Sequence, residues 1–258
     1  MTDYTNLISH SNKNSDIIAA VKKIKVKIAN NINNYVSIER QYQILEELLS
    51  FEMGRFLIVN QGLNGYWTHY ILNYPLRDNI GKGSCFSTYC DNICDTERFI
   101  LEKAPGVLAS QERFLCFLKI ISQTVKNGHA LASIPSGVSS DLLMVKYLNI
   151  KNISISSIDL DIDSLNLTKH LYTKLNCQFP LNLIQCDAWS TDFNNEFDLL
   201  ISSGLTIYEP CNRKIFDLYK IFYRALRKNG TLVTSFLTFP AVYKELTEWN
   251  MKEINLYN

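Results

Sequence analysis

Residues His129–Asp161, HALASIPSGVSSDLLMVKYLNIKNISISSIDLD, hold the decisive pattern of this chain. An apolar run meets a Pro-Ser-Gly turn, a helix-like segment follows, and a second apolar run closes on acidic residues. That is the outline of a strand–loop–helix–strand nucleotide site, in which backbone amides meet a ligand at a helix start and a carboxylate holds its ribose. The loop departs from the glycine-rich fingerprint, because Gly137 is its single glycine.

Outward from this stretch the second half of the chain keeps one rhythm. Short β-rich runs fall near 129–134, 153–159, 181–186, 197–202 and 231–237, with helix-like segments near 139–148, 163–176 and 212–227. Strands alternating with helices predict a parallel sheet covered on both faces, an α/β fold of Rossmann type. In such sheets ligands bind at the carboxyl ends of the strands. Three of those ends carry suitable groups. The first is the loop Ser133, Ile134, Pro135, Ser136, Gly137, where glycine lets a ligand approach the backbone. The second is Asp159 in SSIDLD, with Asp161 or Asp163 read as the N-cap of the next helix. The third is Gln185-Cys186-Asp187-Ala188-Trp189, where a carboxylate could accept from an adenine amino group while Leu160 or Trp189 packs on the ring.

The first half reads as helical. Val21, Ile24, Ile28 and Ile32 recur at helical spacing among lysines, which fits a docked helix with a solvated face better than a membrane-surface helix. A second helix is expected from Ser37 to about Val59. The run QGLNGYWTHYILNYP, 61–75, alternates glycines with aromatics. Tyr66 and Trp67 could cover a substrate or cofactor, or could simply pack, and the two readings stand level. A Pro-Gly break at 105–106 and a helix from about Gln111 to Lys126 complete this half. The expected division is 1–105, a helical cap or substrate region, and 106–258, the sheet domain.

With 258 residues, 47% of them hydrophobic, the chain can bury a substantial core, and a formal charge of +1 gives no general pull toward nucleic acid or membrane. No apolar run approaches the roughly 20 residues that span a bilayer. Seven cysteines without a signal-like start point to reduced thiols and a cytoplasmic protein. Cys85, Cys90 and Cys94 are spaced too loosely, and with too few ligands, for structural zinc, so no metal is expected.

The blocks SIPSG, SIDLD, QCDAWS, FDLLISSGLTIYEP and LRKNGTLVTSF carry a family resemblance. Residues 107–237 resemble the catalytic core of class I S-adenosylmethionine-dependent methyltransferases, nearest a bacterial group with segments like GLNGYWTHY, CDAW and GLxIYEP. The resemblance implies S-adenosylmethionine as cofactor. It implies that Ser133, Pro135, Ser136 and Gly137 cradle the methionine part, Asp159 the ribose, and Asp187 with Ala188 the adenine, Leu160 being counted among the cofactor-binding residues. Ser203, Gly204, Tyr208 and Glu209 would border the reacting methyl. The acceptor would be a small molecule, bordered by Tyr66, Trp67 and Tyr208. Should a proton have to leave the acceptor, Glu209 and His69 are candidate bases, and a plain salt bridge or core hydrogen bond explains either equally well. A nicotinamide dehydrogenase is the weaker rival, since a pyrophosphate wants more glycine in the loop.

In that family a helix and an antiparallel pair follow the fifth strand. Only Leu237–Asn258 remain here, too few for a helix of about 11 residues, two strands of about five each, and their turns. The expectation is a shortened sheet whose fifth strand has an open edge, able to self-associate. A non-catalytic interaction protein that keeps the fold is therefore the alternative function.

Overall fold

The computed structural model describes residues 17–30, 36–77 and 93–236, and these divide into two compact units, the first ending at Glu112 and the second beginning at Arg113. The division falls inside one helix, α6 (Pro105–Thr124), and not at the expected Pro-Gly break. Proline has no amide hydrogen to lose in a first helical turn, so Pro105 starts this helix and Gly106 lies within it.

The first unit is helical: α1 (Ile17–Asn30), α2 (Ile38–Leu49), α3 (Glu52–Asn60), α4 (Gly65–Asn73), α5 (Asp95–Lys103) and the start of α6. The α1 helix buries Ile28 against Leu45 of α2 and Ile58 of α3 while Lys22, Lys23, Lys25 and Lys27 stay exposed. Ser37 caps α2 by accepting from Arg40 N at 3.2 Å, and Asn64 caps α4 by accepting from Trp67 N at 3.0 Å. The single helix expected over 37–59 is two. The chain turns at Ser50-Phe51, with Phe51 extended (φ −131°, ψ 160°), and Gly54 comes so near Leu48 that a Cβ there would stand 2.0 Å from the Leu48 carbonyl oxygen.

The second unit is the α/β half. Its strands β1 (Ala130–Ser133), β2 (Ser154–Asp159), β3 (Leu181–Gln185), β4 (Phe197–Ser202) and β5 (Leu226–Thr234) form one all-parallel sheet in the order β3-β2-β1-β4-β5. Among the described residues the larger part of α6 and the helices α7 (Ser140–Leu143), α8 (Ile162–Lys174) and α9 (Asn212–Ala225) accompany it. The strands read as nearly continuous apolar runs because both faces are covered. Ala132, Ile158 and Leu200 pack with Leu218, Phe222 and Ala225 of α9, and α8 packs on β2 and β3. Strand order reverses between β1 and β4, the point where open sheets of this kind leave a crevice at their carboxyl edge.

Two elements differ from the sequence reading. The helix expected over 139–148 is only α7, four residues long. The Tyr147 hydroxyl takes the Leu142 carbonyl at 2.7 Å, an acceptor that a continuing helix would have used, and Asn149 turns left-handed (φ 62°). Strand β5 begins before the Asn229-Gly230 turn, not after it. Phe197 pairs with Leu226 and Leu199 with Thr231, so the turn is absorbed as a register shift. Residues 237–258, on which the expectation of an open fifth-strand edge rests, lie outside the described residues.

Replacing Gly54 by alanine should destabilise the first unit by about 1–3 kcal/mol, since the added methyl meets a backbone oxygen with no side chain able to yield. Urea denaturation measures this, and an unchanged midpoint would contradict the close approach.

Candidate functional site

The β1–α7 loop is held down at the strand-order reversal by its own backbone. Ile134 N donates to Ile201 O of β4 at 2.8 Å, and Ser136 N donates to Ile158 O of β2 at 2.9 Å. Gly137 then adopts φ 50° and points its amide at the Asp159 carboxylate, with Gly137 N to Asp159 Oδ2 at 2.7 Å. The other oxygen, Oδ1, accepts from Asp161 N at 2.9 Å. Below the loop, Thr168 of α8 donates to Gly137 O at 3.2 Å, and the hydroxyls of Ser139 and Ser157 are hydrogen-bonded to each other. Ser133 and Ser136 are buried. One carboxylate thus ties the loop to the end of β2.

Each oxygen of Asp159 already accepts an amide and retains a further lone pair, which is the capacity a ribose diol would use. Burial raises this carboxyl above its ordinary value, and the charge of Asp161 pushes the same way. The amides of Asp161 and Gly137 oppose the rise. Asp161 is the N-cap of α8, accepting from Asp163 N at 3.1 Å and from the Ser164 hydroxyl at 2.7 Å, which settles which acid caps that helix.

Between the adjacent strand ends, Leu160 stands 57% exposed, its carbonyl fixed by Gln185 Nε2 at 3.1 Å. Trp189 is less available, because its Nε1 donates to Lys214 O at 3.0 Å and its ring packs on the sheet core. Of the two residues considered for an adenine ring, Leu160 is the one that offers an open apolar surface. Asp187 is exposed and caps the 3-10 turn Ala188–Ser190, accepting from Trp189 N at 3.0 Å, while Ala188 is buried.

Beyond β4, Ser203 and Gly204 (φ 79°) lead into the 3-10 turn Leu205–Tyr208, and Gly204 N donates to the Ser235 hydroxyl at 3.0 Å. Tyr208 is largely exposed. Glu209 is engaged: its Oε2 pairs with Lys214 Nζ at 3.2 Å, and its Oε1 accepts from Cys211 N at 2.9 Å. Service as a base would require it to leave both partners.

His69, Tyr66 and Trp67 belong to the first unit. Trp67 is buried there with Tyr70, Met53 and Leu101, and the half-buried Tyr66 meets its ring edge-on at 4.9 Å between centroids. His69 is 2% exposed, with Nδ1 3.0 Å from Asn73 Nδ2. Of the three loosely spaced cysteines, Cys94 is a half-buried free thiol, and Cys85 and Cys90 lie outside the described residues. Among the described residues no cluster of His, Cys, Asp and Glu could hold a metal ion, and no helix is long and apolar enough to cross a membrane.

Two charged groups of the second unit went unnoticed in the sequence. Asp141, in the first turn of α7, accepts from Leu142 N at 2.9 Å and from the Ser133 hydroxyl at 3.3 Å, with no cation beside it among the described residues. Burial pushes its carboxyl up to about 6 against those hydrogen bonds. The second is Arg113 on α6. Only its place on a helix leading into β1 hinted at a role.

No protein-family model matches the sequence, and no curated protein does. Among solved structures, a possible exported protein from Bordetella parapertussis is similar at a TM-score of 0.78 and 28% identity, over 95% of this chain and 83% of that one. A phosphoethanolamine N-methyltransferase 2 from Haemonchus contortus, solved with phosphomonomethylethanolamine and S-adenosylhomocysteine, overlaps at 0.45 and 18%, over 57% of this chain and 34% of that one. YjhP from E. coli overlaps at 0.43 and 15%, over 55% and 57%.

Asp141 and Asp159 both hold protons more readily folded than unfolded. Their contribution to stability is full below the unfolded value near pH 4 and, for Asp141, is lost as pH rises through about 6. Asp141→Asn removes the larger part of this dependence, so its stability relative to the wild type should climb between about pH 4.5 and 7.5. Denaturation curves that stay parallel across that range would contradict the burial of this carboxyl.

Proposed function

We propose that the protein is an S-adenosylmethionine-dependent methyltransferase acting on a small molecule. The observation that carries this reading is the bond between Gly137 N and Asp159 Oδ2, which sets a one-glycine loop and a diol-accepting carboxylate together where the strand order reverses. Bound there, the cofactor would supply an electrophilic methyl on a sulfonium, transferred in line to a lone pair of the acceptor as the carbon–sulfur bond breaks toward sulfur.

The residues present fit the group. Asp159 keeps acceptor capacity for two ribose hydroxyls, and the side-chain-free Gly137 lets the amino-acid part lie against the backbone. Asp141, a desolvated carboxylate with no cation beside it among the described residues, would receive the ammonium of that part, with Ser133 orienting it. Leu160 would cover one face of the adenine and Asp187 would meet its amino group. The four-residue α7 is too short for a dipole argument, so recognition here falls to side chains and loop amides. The loop also argues against a dinucleotide, since only Gly137 would let a pyrophosphate approach.

The chain's own contribution to the reaction is positioning, which suffices for a displacement that needs no proton transfer at the methyl. Tyr208, Ser203 and Gly204 would line the reacting end. Glu209, paired with Lys214, would become a base only where the acceptor must lose a proton. The free thiols Cys116, Cys177, Cys186 and Cys211 agree with a reducing, cytoplasmic setting. The similar Bordetella protein, described as exported, is the observation on the other side.

Calorimetry with S-adenosylhomocysteine tests the reading: one site per chain is expected, and no binding to folded protein sinks it. Asp159→Asn keeps the shape but loses the charge, and should weaken binding by about tenfold or more. Asp141→Asn should weaken it comparably near pH 7.5 and progressively less as pH falls through about 6, where the native carboxyl itself is protonated. A pH-independent ratio between wild type and Asp141→Asn would remove Asp141 from the site.

A further inference from the structure

The α9 helix turns a face of rings and cations to solvent. Its buried stripe is Ile215, Leu218, Phe222 and Ala225. At about 3.6 residues per turn, Lys220 stands opposite the centre of that stripe, with Phe216 and Tyr223 to one side of it and Arg213 and Arg224 to the other. Both rings are open to water: Phe216 is 61% exposed and Tyr223 83%. A single exposed apolar side chain is ordinary, but two large rings aligned on one helix form a surface.

Contacts on this face join its two rows. Lys220 Nζ lies over the Phe216 ring, 4.4 Å from its centroid, and donates to Asp217 Oδ1 at 3.1 Å. Arg224 is fixed by donating to Thr191 O at 3.0 Å. Arg213 meets no acceptor among the described residues. Asp217 is the one acid of the helix, against Arg213, Lys214, Lys220 and Arg224, and Lys214 is answered by Glu209 at 3.2 Å. What remains is a row of rings beside a row of cations, with Lys220 touching both.

We propose that this face binds single-stranded nucleic acid, its bases stacking on Phe216 and Tyr223 and its phosphates meeting Arg213, Lys220 and Arg224. The two rings are separated by about 10 Å along the helix, so a strand running along α9 passes both with the cations beside it. Aromatic stacking with phosphate contacts alongside is how proteins hold a strand without reading its sequence. Other occupants fit less well. A second copy of the same face would set cation against cation. A bilayer favours an apolar centre with cations at the rims of the helix face, and here the centre is Lys220. The formal charge of +1 is a sum over the whole chain and does not register this local excess. The inference is independent of the methyl-transfer reading.

Fluorescence anisotropy of labelled oligouridylate and oligothymidylate with the full chain tests this. Both strands should bind, and more tightly than a DNA duplex, whose bases are already stacked on one another. Affinity should fall with salt at a log–log slope of about −2, for three phosphates. Phe216→Ala and Tyr223→Ala should each weaken binding by about tenfold, and Phe216→Tyr should leave it near wild type. Lys220→Gln should flatten the salt slope. All four variants should melt close to wild type, because the side chains changed are exposed. Equal binding by wild type, Phe216→Ala and Tyr223→Ala overturns the proposal. So does equal affinity for the duplex, which leaves only a general attraction of charge. A wild type that binds neither strand also overturns it. Marked destabilisation of Phe216→Ala and Tyr223→Ala would then identify a face packed on protein, and Phe216-dependent sedimentation with phosphatidylserine vesicles would assign it to a membrane.

Discussion

The bond from Gly137 N to Asp159 Oδ2 is the constraint on which the site depends. Without it the β1–α7 loop would be tied to the strands only through Ile134 and Ser136, and the end of β2 would lose its link to the loop. The bond demands a residue at 137 that tolerates φ 50° and a carboxylate at the last position of β2. It also gives Asp159 two tasks. One lone pair on each oxygen organises backbone, and the rest face the place where a diol would sit. Removing the whole side chain therefore disturbs architecture and recognition together, and an asparagine, whose NH2 takes the place of one accepting oxygen, gives up one of the two backbone bonds as well as an acceptor for the diol.

Around this clamp the electrostatics are uneven in an instructive way. The peripheral charges of the second unit are paired across exposed contacts such as Lys220–Asp217 and Arg227–Asp198, each worth little in high dielectric. Asp141 and Arg113, by contrast, are partly withdrawn from water and lack an opposite charge among the described residues. Sites where desolvation is left uncompensated are where proteins keep functional groups, since the ligand completes them. A negative centre at the loop, Asp141, is the complement of an ammonium on a ligand.

Much of this was legible in the sequence. The apolar runs of β1, β2, β4 and β5, the carboxylates Asp159 and Asp187, and the cap at Ser37 all follow from period and residue type, which are local properties. The failures have non-local causes. Nothing in ILEELLSFEMGRF announces that α2 and α3 part at Phe51, because the turn depends on Gly54 fitting against the Leu48 carbonyl. The shortness of α7 depends on a tyrosine hydroxyl five residues beyond Leu142. Asp141 looked like an ordinary first-turn acid and Arg113 like an ordinary helix arginine. What distinguishes them is the absence of a partner, and only folded geometry can show that. The aromatic cluster at 66–70 was open between packing and binding in the sequence, and the structure buries Trp67 and His69 within the first unit.

The central claim is that the Asp159-clamped loop is a cradle for an adenosyl-amino-acid cofactor. A crystal structure of the protein grown with S-adenosylhomocysteine tests it most directly. The account predicts both ribose hydroxyls within hydrogen-bond distance of the Asp159 carboxylate, with the amino-acid tail along residues 133–137 and its ammonium at Asp141. A ligand bound elsewhere while the loop keeps its present bonds and stays empty would contradict it.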